Sequence, residues 1–305
     1  MPGLMSPFEF LLVVCCGFTV GGLAGLLGIG GSFLLVPLLH VVLKIPVEIA
    51  VGSTSCQLLG PSTTALLARR ISLTQFRLPL IITGGIITGV LVGALALQST
   101  RESGTIEVNA RVIPASELLV LGTYLIMLTG IGAFVIFEVH RQSQGRSIPR
   151  GLLAKIALPP VEEFDELNVR QLSIPVLSLF GLTTGFLAGL LGISGALFLI
   201  PGLVYLLDIR SKQAILVSLV VVWITSFNAT IFHAWYGNVD LMLAIALMFG
   251  GTIGARIGAE LSHKVPGKTI RSSIGWLALL TAGLVLLRLV ALLTAPGAED
   301  VTGLV

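Results

Sequence analysis

The sequence predicts an all-α polytopic membrane protein made of two inverted repeats, each a broken-helix hairpin plus three transmembrane helices. A duplicated, glycine-interrupted segment, a strongly apolar composition and a lopsided placement of basic residues carry that expectation. The segment Leu23 to Pro37 recurs as Leu187 to Pro201, identical at 10 of 15 positions with a constant offset of 164. An apolar segment broken by glycines in both halves of a chain is the sequence pointer to a transporter's substrate site. With 55% hydrophobic residues, 11% charged residues and a mean hydropathy of +1.02, the chain has too few polar side chains to coat a soluble globule of 305 residues.

The apolar runs fall at 8–43, 49–68, 78–97, 118–138, 173–207, 214–236, 240–260 and 272–293. Runs near 20 residues each match one helical crossing of a hydrocarbon core of roughly 30 Å. The first 30 residues carry no Lys or Arg, so they lack the basic start of a cleavable signal peptide and are expected to stay as a membrane segment. The two long runs hold the duplicated segment. The stretch after their glycines, such as 31–43, reaches only about 20 Å as a helix, so each long run is either one kinked crossing or a hairpin that returns to its side of entry.

Basic residues decide between these. If each long run returns, 14 of the 18 Lys and Arg fall on one face, in the loops from Arg69 to Arg77, Arg141 to Arg170, Arg210 to Lys212 and Arg256 to Arg271. If each crosses once, the loops split almost evenly, against the positive-inside rule. The hairpin reading gives each half an odd number of full crossings, so the second half is upside down relative to the first. The expected organisation is a first transmembrane repeat at 1–138, a solvated cytoplasmic linker at 139–171 and a second repeat at 172–305, with both termini outside.

The glycine break followed by Pro37, then the loop Leu43-Lys44-Ile45-Pro46-Val47-Glu48 leading to Thr54-Ser55 and a Gly-rich helix, occurs twice. This pattern resembles the sulfite exporter TauE/SafE family, also called TSUP. The resemblance implies a secondary transporter in the bacterial cytoplasmic membrane that moves sulfite or organosulfonates such as sulfoacetate, with export as the direction. This chain departs from the family's usual three glycines, with Gly30-Gly31-Ser32 in one copy and Ser194-Gly195-Ala196 in the other, and has Ser218-Leu219 where the first copy has Thr54-Ser55.

Independently of the resemblance, a helix that starts inside a membrane presents unpaired N–H groups and a positive dipole, which hold an oxyanion without a buried cation. The candidate substrate-binding residues are therefore Gly30, Gly31 and Ser32 from one half and Ser194, Gly195 and Ala196 from the other, converging near the midplane. Thr54, Ser55 and Gln57, with Ser218, Thr225, Ser226 and Asn228, add hydroxyl and amide donors. The competing view is that the glycines serve helix packing and the hydroxyls bond their own backbone. Close packing is the reading for Gly85, Gly89 and Gly93 and for Gly250, Gly254 and Gly258.

Glu9, Glu117, Glu138, Asp208, Asp240 and Glu260 sit at the ends of apolar runs and none lies well inside one, which disfavours a cation carried by a carboxylate relay. His233 is expected to be interfacial or capping. Cys15, Cys16 and Cys56 lie in apolar stretches without a CxxC pair, so packing is expected, with no metal, cofactor or catalytic residue. The formal charge of +3 gives no reason to expect nucleic acid. The partners are a small anion and the lipid bilayer. A rhomboid-like intramembrane serine protease is the alternative, with Gly192-Ile193-Ser194-Gly195 as its GxSG and His233 as base; the Gly30 that replaces Ser194 in the other copy argues against it.

Overall fold

The computed structural model describes residues 7–27, 32–68, 76–108, 111–145, 151–156, 158–164, 169–193, 195–262 and 264–294. In the first half, α1 (Pro7–Leu27) is followed by α2 (Ser32–Pro37), which runs into a π-helical turn at Leu38–Val42. Then come α3 (Val47–Gln57), α4 (Leu59–Ala68), α5 (Arg77–Glu102), the strands β1 (Thr105–Val108) and β2 (Arg111–Pro114), and α6 (Ala115–Ser143). After β3 (Val161–Phe164) and β4 (Val169–Ser173), the second half holds α7 (Ile174–Leu191), α8 (Ala196–Pro201) with a π turn at Gly202–Leu206, α9 (Ser211–Trp235), α10 (Leu241–Ser262) and α11 (Gly267–Thr294). Among the described residues, seven helices are long and apolar enough to cross a membrane.

The duplication in sequence is a duplication in backbone. Both first helices end, both short helices run and both π turns form at positions 164 residues apart. Pro37 and Pro201 have no N–H, which leaves the preceding turn short of a donor, and the chain widens just after them. Leu43 N–H reaches the Leu38 carbonyl as Leu207 N–H reaches that of Gly202, and Ile45 N–H reaches Leu39 as Ile209 reaches Leu203.

Where the copies differ, sequence explains it. The expected single helix over 49–68 is two helices with a break at Leu58, because Pro61 cannot donate to the Gln57 carbonyl and its ring crowds that turn. Its counterpart α9 has Thr225 at that position and is continuous. Two short hairpins were not expected. One joins α5 to α6 through Thr105-Ile106-Glu107-Val108 paired with Arg111-Val112-Ile113-Pro114, alternating and β-branched. The other lies in the segment expected as a solvated linker. That segment is packed: Phe164 and Leu172 are buried in the second half, Gly151 N–H donates to the Tyr205 carbonyl at 2.9 Å, and Arg77 pairs with Glu162.

Glycines set the main helix contacts. A Cβ at Gly250, Gly254 or Gly258 would fall 2.0–2.1 Å from the carbonyl oxygens of Val14, Phe18 and Gly22 in turn, so α10 and α1 run parallel in backbone contact. Gly85, Gly89 and Gly93 meet Ser178, Leu182 and Phe186 in the same rising order, making α5 and α7 the matching pair. The packing expectation for both glycine sets holds.

The remaining contacts join counterparts. Glu117 with Arg288, Gly132 with Gly275 and Glu138 with Arg271 run in opposite order, so α6 and α11 are antiparallel. Gly52 packs on His233 while Trp223 Nε1–H donates to Thr63 at 2.9 Å, so α3 and α4 are antiparallel to α9. One end of the bundle gathers Glu48, Arg101, Ser116, Asn238 and Asp240, through Ser116–Glu48, Arg101–Asn238 and Ser53–Asp240 hydrogen bonds. The other gathers Arg77, Glu138, Glu162, Tyr205 and Arg271.

Candidate functional site

The second break is described on both sides of Ser194. Gly192 ends α7 with φ +66°, a left-handed conformation that glycine adopts without strain, and its α-carbon packs on the Val51 backbone of α3. The chain then doubles back. Gly195, at φ +70°, packs against the Thr184 methyl group, two turns before the end of α7. Since Gly89 and Gly93 of α5 touch Leu182 and Phe186, Thr184 and the start of α8 are level with the middle of α5. The half-helix thus begins at mid-depth, although α7 itself ends nearer the side of Val51.

Ending α7 inside the bundle strands its last carbonyls, and side chains satisfy them. Gly192 N–H donates to Ala188, Tyr124 Oη donates to the Leu191 carbonyl at 2.8 Å, and His233 Nε2 lies 2.8 Å from the Gly189 carbonyl. Facing a carbonyl, Nε2 carries the proton. His233 is a cap, as expected, but a fully buried one (0% exposed) and not an interfacial residue. Tyr124 was not anticipated; a lone Tyr in the apolar run 118–138 was the available signal.

The expected donors divide into two groups. Ser55 bonds the Val51 carbonyl, Ser218 that of Ile215, Thr225 that of Val221, and the Asn228 amide that of Ile224, all within their own helices. Thr54 Oγ1, Gln57 Oε1 and Ser226 Oγ are buried with no hydrogen-bond partner, as is His233 Nδ1. Unpaired buried polar atoms each cost on the order of 1–3 kcal/mol, so a cluster of them marks a place where a polar ligand or water belongs. Counting along antiparallel α3 and α9 from the Gly52–His233 contact, Gln57 is level with Asn228, while Thr54 lies about one turn to one side of that depth and Ser226 about half a turn to the other. Counting from His233–Gly189 along α7 places Thr184, and so Gly195, at that same depth. Gly30, Gly31 and Ser194 lie outside the described residues, while Ser32 and Ala196 are the first residues of α2 and α8.

Two of the carboxylates at the ends of the apolar runs are paired inside the bundle. Glu117 is buried, with His40 Nε2 at 2.7 Å and Arg288 Nη2 at 2.9 Å. Glu138, also buried, accepts from Tyr205 Oη and lies 3.3 Å from Arg271. Arg256, by contrast, makes only a loose 3.9 Å contact with Glu260, both exposed. No group of three metal-ligating side chains occurs among the described residues.

The family model described as sulfite exporter TauE/SafE matches residues 13–285. The chain is similar to the probable membrane transporter protein YjnA of Bacillus subtilis, 31% identical over 260 residues that make up 83% of this chain and 90% of that one. It is similar to the probable membrane transporter proteins YunE of Bacillus subtilis, 23% identical over 86% and 92% of the two chains, and MJ0441 of Methanocaldococcus jannaschii, 26% identical over 84% and 91%. No solved structure matches the chain. Nothing in these comparisons supports the intramembrane protease alternative, and His233 already spends Nε2 on a backbone carbonyl.

Proposed function

Because this chain belongs to the sulfite exporter TauE/SafE family of membrane transporters, we propose that it exports a small sulfur-containing anion, sulfite or an organosulfonate such as sulfoacetate, across a bacterial cytoplasmic membrane. The observation that carries the anion site is the two buried hydroxyls without a partner, Thr54 and Ser226, which lie within about one turn on either side of the depth where α8 begins. A hydroxyl free to donate and a helix N-terminus with unpaired N–H groups suit an oxyanion's lone pairs. Gln57, three residues after Thr54 on α3, adds an amide, and Gly30, Gly31, Ser32, Ser194, Gly195 and Ala196 complete the proposed ligand shell.

Two inverted repeats account for the helix directions, since α6 and α11, counterparts in the duplication, run antiparallel, as α3–α4 and α9 do. A repeat related by an axis along the membrane normal would make counterparts parallel. In the proposed orientation the face with Arg77, Glu162 and Arg271 is cytoplasmic, following the excess of basic residues. Rocking of the halves around the central site then exposes the anion to each side.

Flux into proteoliposomes, measured for sulfite, sulfoacetate, taurine, sulfate and acetate, tests this. Sulfite or an organosulfonate should move and compete with one another. Selective movement of acetate, or of no anion at all, overturns the substrate assignment.

A further inference from the structure

The two clusters built on α6 form a matched pair with one difference. Each joins a residue of a π turn to a Glu of α6 and an Arg of α11: His40, Glu117 and Arg288 at one end, Tyr205, Glu138 and Arg271 at the other. Each therefore ties one broken-helix hairpin to the antiparallel α6–α11 pair. The pseudo-equivalent of His40 is Val204, which has no ionisable group, and the second cluster uses the Tyr205 hydroxyl, which donates to Glu138.

His40 cannot make its contacts without a bound proton. Nδ1 is 2.8 Å from the Ile45 carbonyl oxygen, an acceptor only, so Nδ1 carries a hydrogen. In neutral imidazole Nε2 would then be a bare lone pair, yet it lies 2.7 Å from Glu117 Oε1. Two acceptors do not rest at that distance; a proton stands between them. Arg288 donates from Nε at 3.2 Å and Nη2 at 2.9 Å to the same oxygen, which favours ionised Glu117 and so puts the proton on the ring. The charged groups also placed at this end are Glu48 of α3, bonded to Ser116 beside Glu117, Arg101 and Glu102 at the end of α5, Asp240 just before α10, and the exposed Lys44 just beyond the turn.

We propose that His40 and Glu117 bind the proton that couples to transport, taken up at His40 Nε2 from the face opposite the basic one, and that this proton fastens the first hairpin to α6 and α11. With the proton bound, the imidazolium donates at both nitrogens and the cluster is closed. Loss of the proton to the outer solution leaves lone pair against carboxylate, and the first hairpin is released while Tyr205 still holds the second. The tie is thus complete with the proton bound and broken without it. The coupling role rests on the transporter reading above, whereas the proton site does not.

Nitrogen-15 NMR of histidine-labelled protein in detergent tests the site without a substrate. The chain has four histidines, and His40→Gln assigns the signal. Both ring nitrogens of His40 should carry hydrogen in the wild type, and Glu117→Gln should leave one of them bare under the same conditions. A neutral single tautomer of His40 in the wild type overturns the proposal. Coupling is read from proteoliposomes carrying an entrapped pH dye, with sulfite and with methanesulfonate, whose charge is constant around neutral pH. Proton movement should accompany the anion in the wild type and be lost in His40→Gln protein that elutes as a single folded species. Anion flux with a proton signal unchanged by His40→Gln overturns coupling through this site. Failure of both anions to move, with the NMR result as expected, faults the substrate assignment and leaves the proton site standing.

Discussion

Lys44 and Asp208, 164 residues apart, hold the same left-handed backbone, with φ of 58° and 56°. Each follows a π turn and closes a hairpin, and among the described residues these are the non-glycine residues with positive φ. Left-handed backbone costs an L-residue roughly 1 kcal/mol, so Lys44→Gly and Asp208→Gly should each be neutral or stabilising by about that amount. The β-branched changes Lys44→Val and Asp208→Val should destabilise both hairpins alike. Thermal midpoints of detergent-solubilised protein measure the four effects; a duplication that is structural as well as sequential requires the two sites to respond in the same direction.

The caps on α7 give a second test. Tyr124→Phe removes the donor to Leu191, and His233→Phe removes the donor to Gly189, each leaving a buried carbonyl unpaired at a cost of about 1–3 kcal/mol. Because both caps hold the same helix end, the double variant should lose less than the sum. Unfolding of the three variants under one denaturant series reads this, and strict additivity would show that the two caps act independently.

Cysteine labelling in a background lacking Cys15, Cys16 and Cys56 tests the orientation. Positions 46 and 104 are exposed at the end that gathers Glu48, Arg101 and Asp240, and should react from outside in intact cells. Positions 145 and 155, near the end of Tyr205 and Arg271, should react only after the membrane is opened. Reaction of 46 and 145 from the same side would rule out the hairpin returning to its entry side.

The helices, the duplication and the packing glycines were legible in the sequence because each has a periodic signature: apolar length, a fixed offset, four-residue spacing. The break at Leu58 was legible in principle through Pro61. What periodicity does not carry is pairing between distant side chains. Glu117, His40 and Arg288 lie in three separate helical segments, and nothing in the spacing of any one of them points to the other two. The docked hairpin Val161–Ser173 was hidden for a related reason, since its acidic residues suggest solvent while Phe164 and Leu172 find cover on helices far along the chain.

The hydroxyls provide the sharpest test of the site. Thr54 and Ser226 have donors with nothing to bond, whereas Ser218 and Thr225, of the same chemistry and similar burial, spend theirs on carbonyls of their own helix. If the free donors contact the anion, Thr54→Val and Ser226→Ala should each lower kcat/KM for the transported anion by about tenfold, the loss of one hydrogen bond to a charged group. They should not destabilise the protein, because an unpaired buried hydroxyl is itself a cost that these changes remove. Ser218→Ala and Thr225→Val should change transport less than about twofold, since neither donor faces the ligand. The comparison uses flux per folded molecule, with folding checked by size-exclusion chromatography. Gly195 is unsuited to this test, as a side chain there meets Thr184 and a φ of +70° and would disturb the fold first. Equal effects in all four hydroxyl variants would move the anion away from the α3–α9 contact.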